Sequence, residues 1–175
     1  MADKIDDLAT LNASKETWTI VVKVIRLWLS PSLYGFKIPF SMDMVLMDDM
    51  VVRSMVRKTL IYRFQSLLTE GRVYQIAFFG VGESGYDFRQ TSHQFKINFD
   101  IHTFVRVLSN KAINRSPYSF MPLCDIMFKD SDSSFHIGVI DILTGVSGEQ
   151  KFEKDGSRHK SITIELDQEG SPFLA

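Results

Sequence analysis

The sequence predicts an all-β fold with one helix. Three observations predict it. Several stretches are dominated by β-branched and aromatic residues. Some of these alternate with period two, the signature of a half-buried strand. A single stretch switches to helical spacing, and it falls after the third strand-like segment and before the fourth.

Residues 17–29, TWTIVVKVIRLWL, have the composition of a long strand. Ser30-Pro31-Ser32 breaks it, and a loop with Gly35 and Pro39 follows. Residues 41–48 read as a second strand, with Asp48-Asp49 as the turn. Residues 51–57, VVRSMVR, alternate: Val52, Ser54 and Val56 suit a core, and Arg53, Met55 and Arg57 suit a wet, basic face. Over 58–69, Leu60, Ile61, Phe64, Leu67 and Leu68 form one apolar stripe of a helix, with Gly71 as its C-cap. Residues 72–79 read as a fourth strand and 80–94 as a polar loop with three glycines. Residues 95–107 alternate again, with Phe95, Ile97, Phe99 and Ile101 facing in and Lys96, Asn98 and Asp100 facing out.

Strand, strand, strand, helix, strand, strand is the element order of the OB fold, a five-stranded Greek-key barrel. Closing five short strands on themselves removes exposed sheet edges. An SH3-like barrel is the rival, but it lacks a full helix at that point. Residues 1–16 are a polar N-terminal segment, 17–108 the barrel, and 109–134 a connector with a short helix near 121–129. Residues 135–175 follow, where FHIGVIDILTGV and SITIELD flank a polar loop at 147–160. They resemble the first hairpin of an incomplete second OB fold. A lone hairpin is marginal in water, so this piece must pack on the barrel, pair with another chain, or stay loose.

The formal net charge of −1 conceals an uneven distribution. Residues 17–115 carry 13 basic and 7 acidic side chains, whereas 116–175 carry 5 basic and 10 acidic. The middle segment is basic enough to attract phosphate. Cys124 stands alone, which excludes a disulfide framework and a Cys-rich zinc site and fits a reducing compartment. His93, His102, His136 and His159 have no metal-ligand spacing, so no metal or cofactor is expected. The N-terminus has no apolar leader, and no apolar run approaches the roughly 20 residues that cross a membrane. Asn12-Ala13-Ser14 fits a glycosylation pattern that means little without such a leader. Gly80-Val81-Gly82-Glu83-Ser84-Gly85 matches a dinucleotide fingerprint only in spacing, because no helix follows it. The reading is therefore non-enzymatic.

Trp18-Thr19-Ile20, Met44-Val45-Leu46-Met47-Asp48, Val73-Tyr74 and the segment from Phe88 to Phe99 stand in a significant order. Together they resemble the DNA-binding OB domains of the large subunit of replication protein A, especially its diverged plant relatives. The resemblance runs from about residue 16 to the chain end and rests on the ordered set rather than on any one motif. It implies single-stranded DNA binding in replication, repair or recombination, a nuclear location, and partners among the other subunits of that protein. It also implies that Phe88 is a stacking aromatic. Arg57 stands where the family has its other stacking aromatic, a departure that weakens the platform although a guanidinium can lie on a base. The family's zinc-bearing domain has no counterpart here.

The expected groove crosses strands two and three between two loops. Its candidate nucleic-acid-binding residues are Arg53 and Arg57 on strand three, Tyr86, Phe88 and Arg89 in the 80–94 loop, Tyr34, Phe36 and Lys37 in the first loop, and Lys96 on the fifth strand. Basic groups follow phosphates and aromatic faces accept unstacked bases. Each residue also has a plainer role: Tyr86 and Phe88 as a cap on the barrel rim, the arginines as solvated charges, Tyr34 and Phe36 as loop packing. Trp18 and Trp28 are assigned to barrel structure. A protein-interaction module without nucleic-acid affinity, and an RNA binder, stay open as alternatives.

Overall fold

The computed structural model describes residues 4–31, 38–85, 91–116, 118, 120–128, 138–154 and 156–167. The chain divides into two units, each described by itself. Unit one is 1–117 with 133–136, and unit two holds the rest.

Unit one is an OB fold whose core is lined by the period-two residues. β1 (Thr19–Ser30) pairs antiparallel with β2 (Ser41–Met47), and β2 with β3 (Val51–Arg57). A 3-10 turn (Lys58–Leu60) and the four-residue helix α1 (Ile61–Phe64) follow. β4 (Val73–Ala77) runs into β5 (Gly80–Glu83), and β6 (Phe95–Phe99) into β7 (Phe104–Val107). The sheet order is β5-β6-β3-β2-β1-β4-β7, and only β3 with β6 is parallel. β4 lies against β1, and β5, two residues later, lies against β6. The kink at Phe78-Phe79 therefore carries the chain from one side of the curled sheet to the other. Ile20, Val22 and Val24 of β1, Met42, Met44 and Leu46 of β2, and Val52 and Val56 of β3 fill the interior with Ile97 and Phe99 of β6. Phe64 meets Phe99 edge to face, with ring centroids 5.1 Å apart.

Three features differ from the sequence expectation. The helix expected over 58–69 shrinks to one turn, because Leu67 N–H bonds back to Phe64 O and tightens the coil. Its stripe still works: Ile61, Phe64 and Leu68 are buried, although Leu67 is exposed. Gly71 has φ +82 and donates to Val24 O, the left-handed stop expected of it. Next, the glycine loop surrenders 80–83 to β5. A Cβ on Gly82 would lie 3.0 Å from Asn98 Nδ2, so glycine here permits close strand approach rather than a turn. Finally, the expected fifth strand breaks at 100–103, which leaves Ile101 exposed instead of facing in.

The polar N-terminus joins the barrel. Leu8 and Leu11 are in the core cluster. Leu8 N–H donates to Asp48 Oδ2 at 2.8 Å, and His93 Nε2 lies 3.0 Å from Leu8 O. Trp18 is buried and donates from its indole to Lys15 O, as its structural assignment requires.

Unit two contains α2 (Leu123–Phe128), β8 (Ile142–Val146) paired with β11 (Ile164–Asp167), and β9 (Gln150–Lys154) paired with β10 (Ser157–Ser161). The stretch read as a 147–160 loop thus holds a hairpin, with Gly156 at its tip in the left-handed region and Phe152 stacked on His159. Its charged composition hid it from propensity. Among the described residues no helix is long and apolar enough to cross a membrane.

Candidate nucleic-acid interface

Strand register decides which side chains share a face. In β2, Met42, Met44 and Leu46 point into the core, so Asp43 and Val45 point out. In β3, Val52, Ser54 and Val56 are buried, so Arg53, Met55 and Arg57 point out, as the alternation predicts. β1 holds a bulge between Val24 and Arg26. The extra residue shifts the phase of the strand. Beyond it Leu27 packs on the core, and Arg26 and Trp28 turn outward, beside Val45 and Asp43.

The pairings then draw rows across the outside of the barrel. One row runs Trp28, Asp43, Met55, Asn98, Gly80. The next runs Arg26, Val45, Arg53, Lys96, Gly82, with Lys96 one step back along the β3–β6 register. Ser30, Ser41 and Arg57 form a third row on the other side of the first. The loop 31–40 leaves from that third row, where Phe40 N–H bonds Ser30 O at 2.8 Å. The loop 84–94 leaves from the opposite end, past Gly82 and Lys96, closed by Ser84 N–H to Gln94 O at 2.8 Å. The strip carrying Arg26, Trp28, Arg53, Arg57 and Lys96 lies between the roots of the two loops.

Of the residues expected at the site, Arg53, Arg57 and Lys96 are brought onto this one strip. Tyr34, Phe36, Lys37, Tyr86, Phe88 and Arg89 lie outside the described residues. Arg57 is exposed, and neither it nor Lys96 has an ion pair among the described residues. Arg53 is different. Its Nη2 donates to Asp43 Oδ1 at 2.8 Å. Asp43 is fully buried and also accepts from Ser41 Oγ at 2.5 Å and Ser30 Oγ at 2.7 Å. Burial opposes ionisation of Asp43, but these hydrogen bonds and the charge of Arg53 outweigh it and hold the carboxyl below its ordinary pKa. Arg26 lies 3.7 Å from Glu70, an exposed pair that screens it little. Lys23, at the other end of β1, donates to Ile113 O at 3.3 Å.

Trp28, Asp43 and Arg26 were not legible as site residues. Unbroken alternation from Val22 and Val24 sends Arg26 and Trp28 into the core. The one available signal is that this phase would bury an arginine, which points to a bulge.

Residues 9–129 match the family described as domain of unknown function DUF223. The chain belongs to that family. Among solved structures, this DUF223 chain is similar to a replication protein A heterotrimer bound to single-stranded DNA. That likeness has 19% identity and a TM-score of 0.56, covering 95% of this chain and 39% of the other. The chain thus spans about two fifths of that relative, and the likeness shows the OB fold. DNA-binding domain A of Saccharomyces cerevisiae replication protein A matches at 18% identity and TM-score 0.46, covering 62% of this chain and 96% of that one. A hypothetical protein of Arabidopsis thaliana matches at 9% identity and TM-score 0.44, covering 81% and 89%. A search of curated proteins gave no match.

Proposed function

We propose that the barrel binds single-stranded nucleic acid, DNA in the first instance, without catalysis and within replication, repair or recombination in the nucleus. The observation that carries this reading is the convergence of Arg26, Arg53, Arg57, Lys96 and Trp28 on one strip between two loop roots. Cations along the strip follow the phosphates of a flexible strand, and Trp28 offers a π-face that any base can use. The similar replication protein A assembly is bound to single-stranded DNA, which supports the same ligand here. Subunits of such an assembly are the proposed protein partners.

A fluorescence titration with single-stranded DNA, matched RNA and duplex at two salt concentrations tests this. Binding should favour the single strand, and its logarithm should fall with log salt, with a slope of about −0.7 per neutralised phosphate. Trp28→Ala should weaken it roughly 5- to 150-fold, the worth of one stacked base. Failure to bind, or indifference to salt, removes the reading. A protein-interaction module is the second reading, favoured by the neutralisation of Arg53 at the centre of the strip. A pull-down partner that survives nuclease would support it.

A further inference from the structure

We infer that Arg53 is a flat platform for a base rather than a phosphate ligand, and that Asp43 is the positioning residue that makes it so. This rests on the nucleic-acid reading above and assigns the interior of that site.

The geometry of one side chain carries the inference. An arginine that clasps a phosphate uses two nitrogens at once. Nη2 of Arg53 is taken by Asp43, and Nε is buried with no acceptor among the described residues. The side-on fork through Nε and Nη2 is therefore closed to a ligand, and only the N–H groups of Nη1 and one of Nη2 remain. The charge is also spent, because an ionised carboxylate lies 2.8 Å away in a place that solvent does not reach. Asp43 cannot swing aside to release it. Two serine hydroxyls, one on β1 and one on β2, hold the carboxylate in place.

Besides those remaining N–H groups the guanidinium offers its plane, since about a third of the side chain is exposed. A guanidinium face stacks on a base as an aromatic ring does. Trp28 lies beside Asp43 in one row, and Met55 follows it. The centre of the strip is thus a nearly neutral patch of flat and apolar groups. Arg26, Lys96 and Arg57 lie around it with their charges available. Bases belong in the middle of this layout and phosphates at its rim.

The two roles separate in a salt series on the full chain with a single-stranded DNA probe. Arg53→Gln should weaken binding about tenfold and leave the salt slope unchanged, because no counterion release depends on it. Arg53→Lys should not restore affinity, since a lysine has charge but no plane. Asp43→Asn should steepen the slope by about 0.7 by freeing the cation. Lys96→Gln is the rim control and should flatten it by a similar amount. Melting curves by circular dichroism establish that each variant folds, and the Arg53 pair decides the matter even if Asp43→Asn does not fold. A flattened slope in Arg53→Gln that Arg53→Lys restores makes Arg53 an ordinary phosphate ligand and overturns the inference. If that happens while Lys96→Gln behaves as stated, the nucleic-acid reading stands and only this assignment falls. If the wild-type chain binds no strand, both fall.

Discussion

Ile20, Val22 and Val24 of β1 are almost completely withdrawn from solvent, whereas Ile142, Leu143 and Val146 of β8 are each half exposed or more. The two stretches have similar composition, and both form strands. They differ in company. β1 has β2 on one side and β4 on the other, and its inner face shares the core of the curled sheet with Phe64 and Phe99. β8 has β11 alone. No described residue of the second unit is buried. Strand formation is decided by local chemistry, but burial is decided by how many elements surround the strand.

The largest expected effect follows from that contrast. Phe64→Ala should cost the barrel about 3–5 kcal/mol, the transfer loss plus a cavity beside Phe99. Leu143→Ala in the second unit should stay within about 0.5 kcal/mol, as for other exposed positions. Denaturant melts of both variants check this. Comparable losses would mean that β8 has a packed interior after all and would erase the distinction.

The same contrast explains what could be read from the chain. The first three strands came within a residue or two of their ends, because Val52, Ser54 and Val56 alternate with Arg53, Met55 and Arg57. Alternation is a local property, and the core enforces it. Leu8 and Leu11 were hidden because two isolated leucines in a polar segment have no period. Trp28 was hidden by a bulge that reverses the phase of β1. The partnership of Asp43 with Arg53 joins residues on two strands, so nothing in either strand alone announces it. The β9–β10 hairpin escaped because QKFEK and SRHKS lack β-branched residues, and its support is backbone pairing and one ring stack. Each loss has one cause, a contact between segments that only the fold brings together.

A second way to sharpen the comparison uses acid. Asp43 is the one fully buried carboxylate among the described residues. Asp43→Asn should destabilise the barrel by about 1–3 kcal/mol at neutral pH, because Arg53 and two hydroxyls lose a charged acceptor. The pKa of Asp43 is lowered in the folded state. The wild-type advantage is therefore full above the ordinary aspartate pKa of about 3.9 and fades as pH falls through the folded-state value. Unfolding free energies of the two proteins should converge in strong acid. A gap that persists unchanged there would show that Asp43 supports the barrel by shape and not by charge.

The smallest expected effect concerns two residues with left-handed backbone. In the second unit that position is Gly156, φ +72, which adopts it without steric cost. In the barrel Gly71 does the same, but Phe78, φ +58, at the kink that carries β4 into β5, is the one described non-glycine residue there. A side chain there costs about 1–2 kcal/mol. The barrel can hold it because Phe78 N–H bonds Trp18 O and Thr103 Oγ1 bonds Phe78 O, so the corner is fixed from two sides. The ring itself is about half exposed, at 53%, and contributes little burial. Phe78→Gly should therefore relieve the strain, lose some of that gain to the freer unfolded chain, and stabilise the barrel by about 0.5 kcal/mol. A thermal melt checks the sign. Destabilisation by more than about 1 kcal/mol would mean that the ring's own contacts hold the corner, and the closure of the barrel would then depend on the side chain at position 78 rather than on the hydrogen bonds beside it.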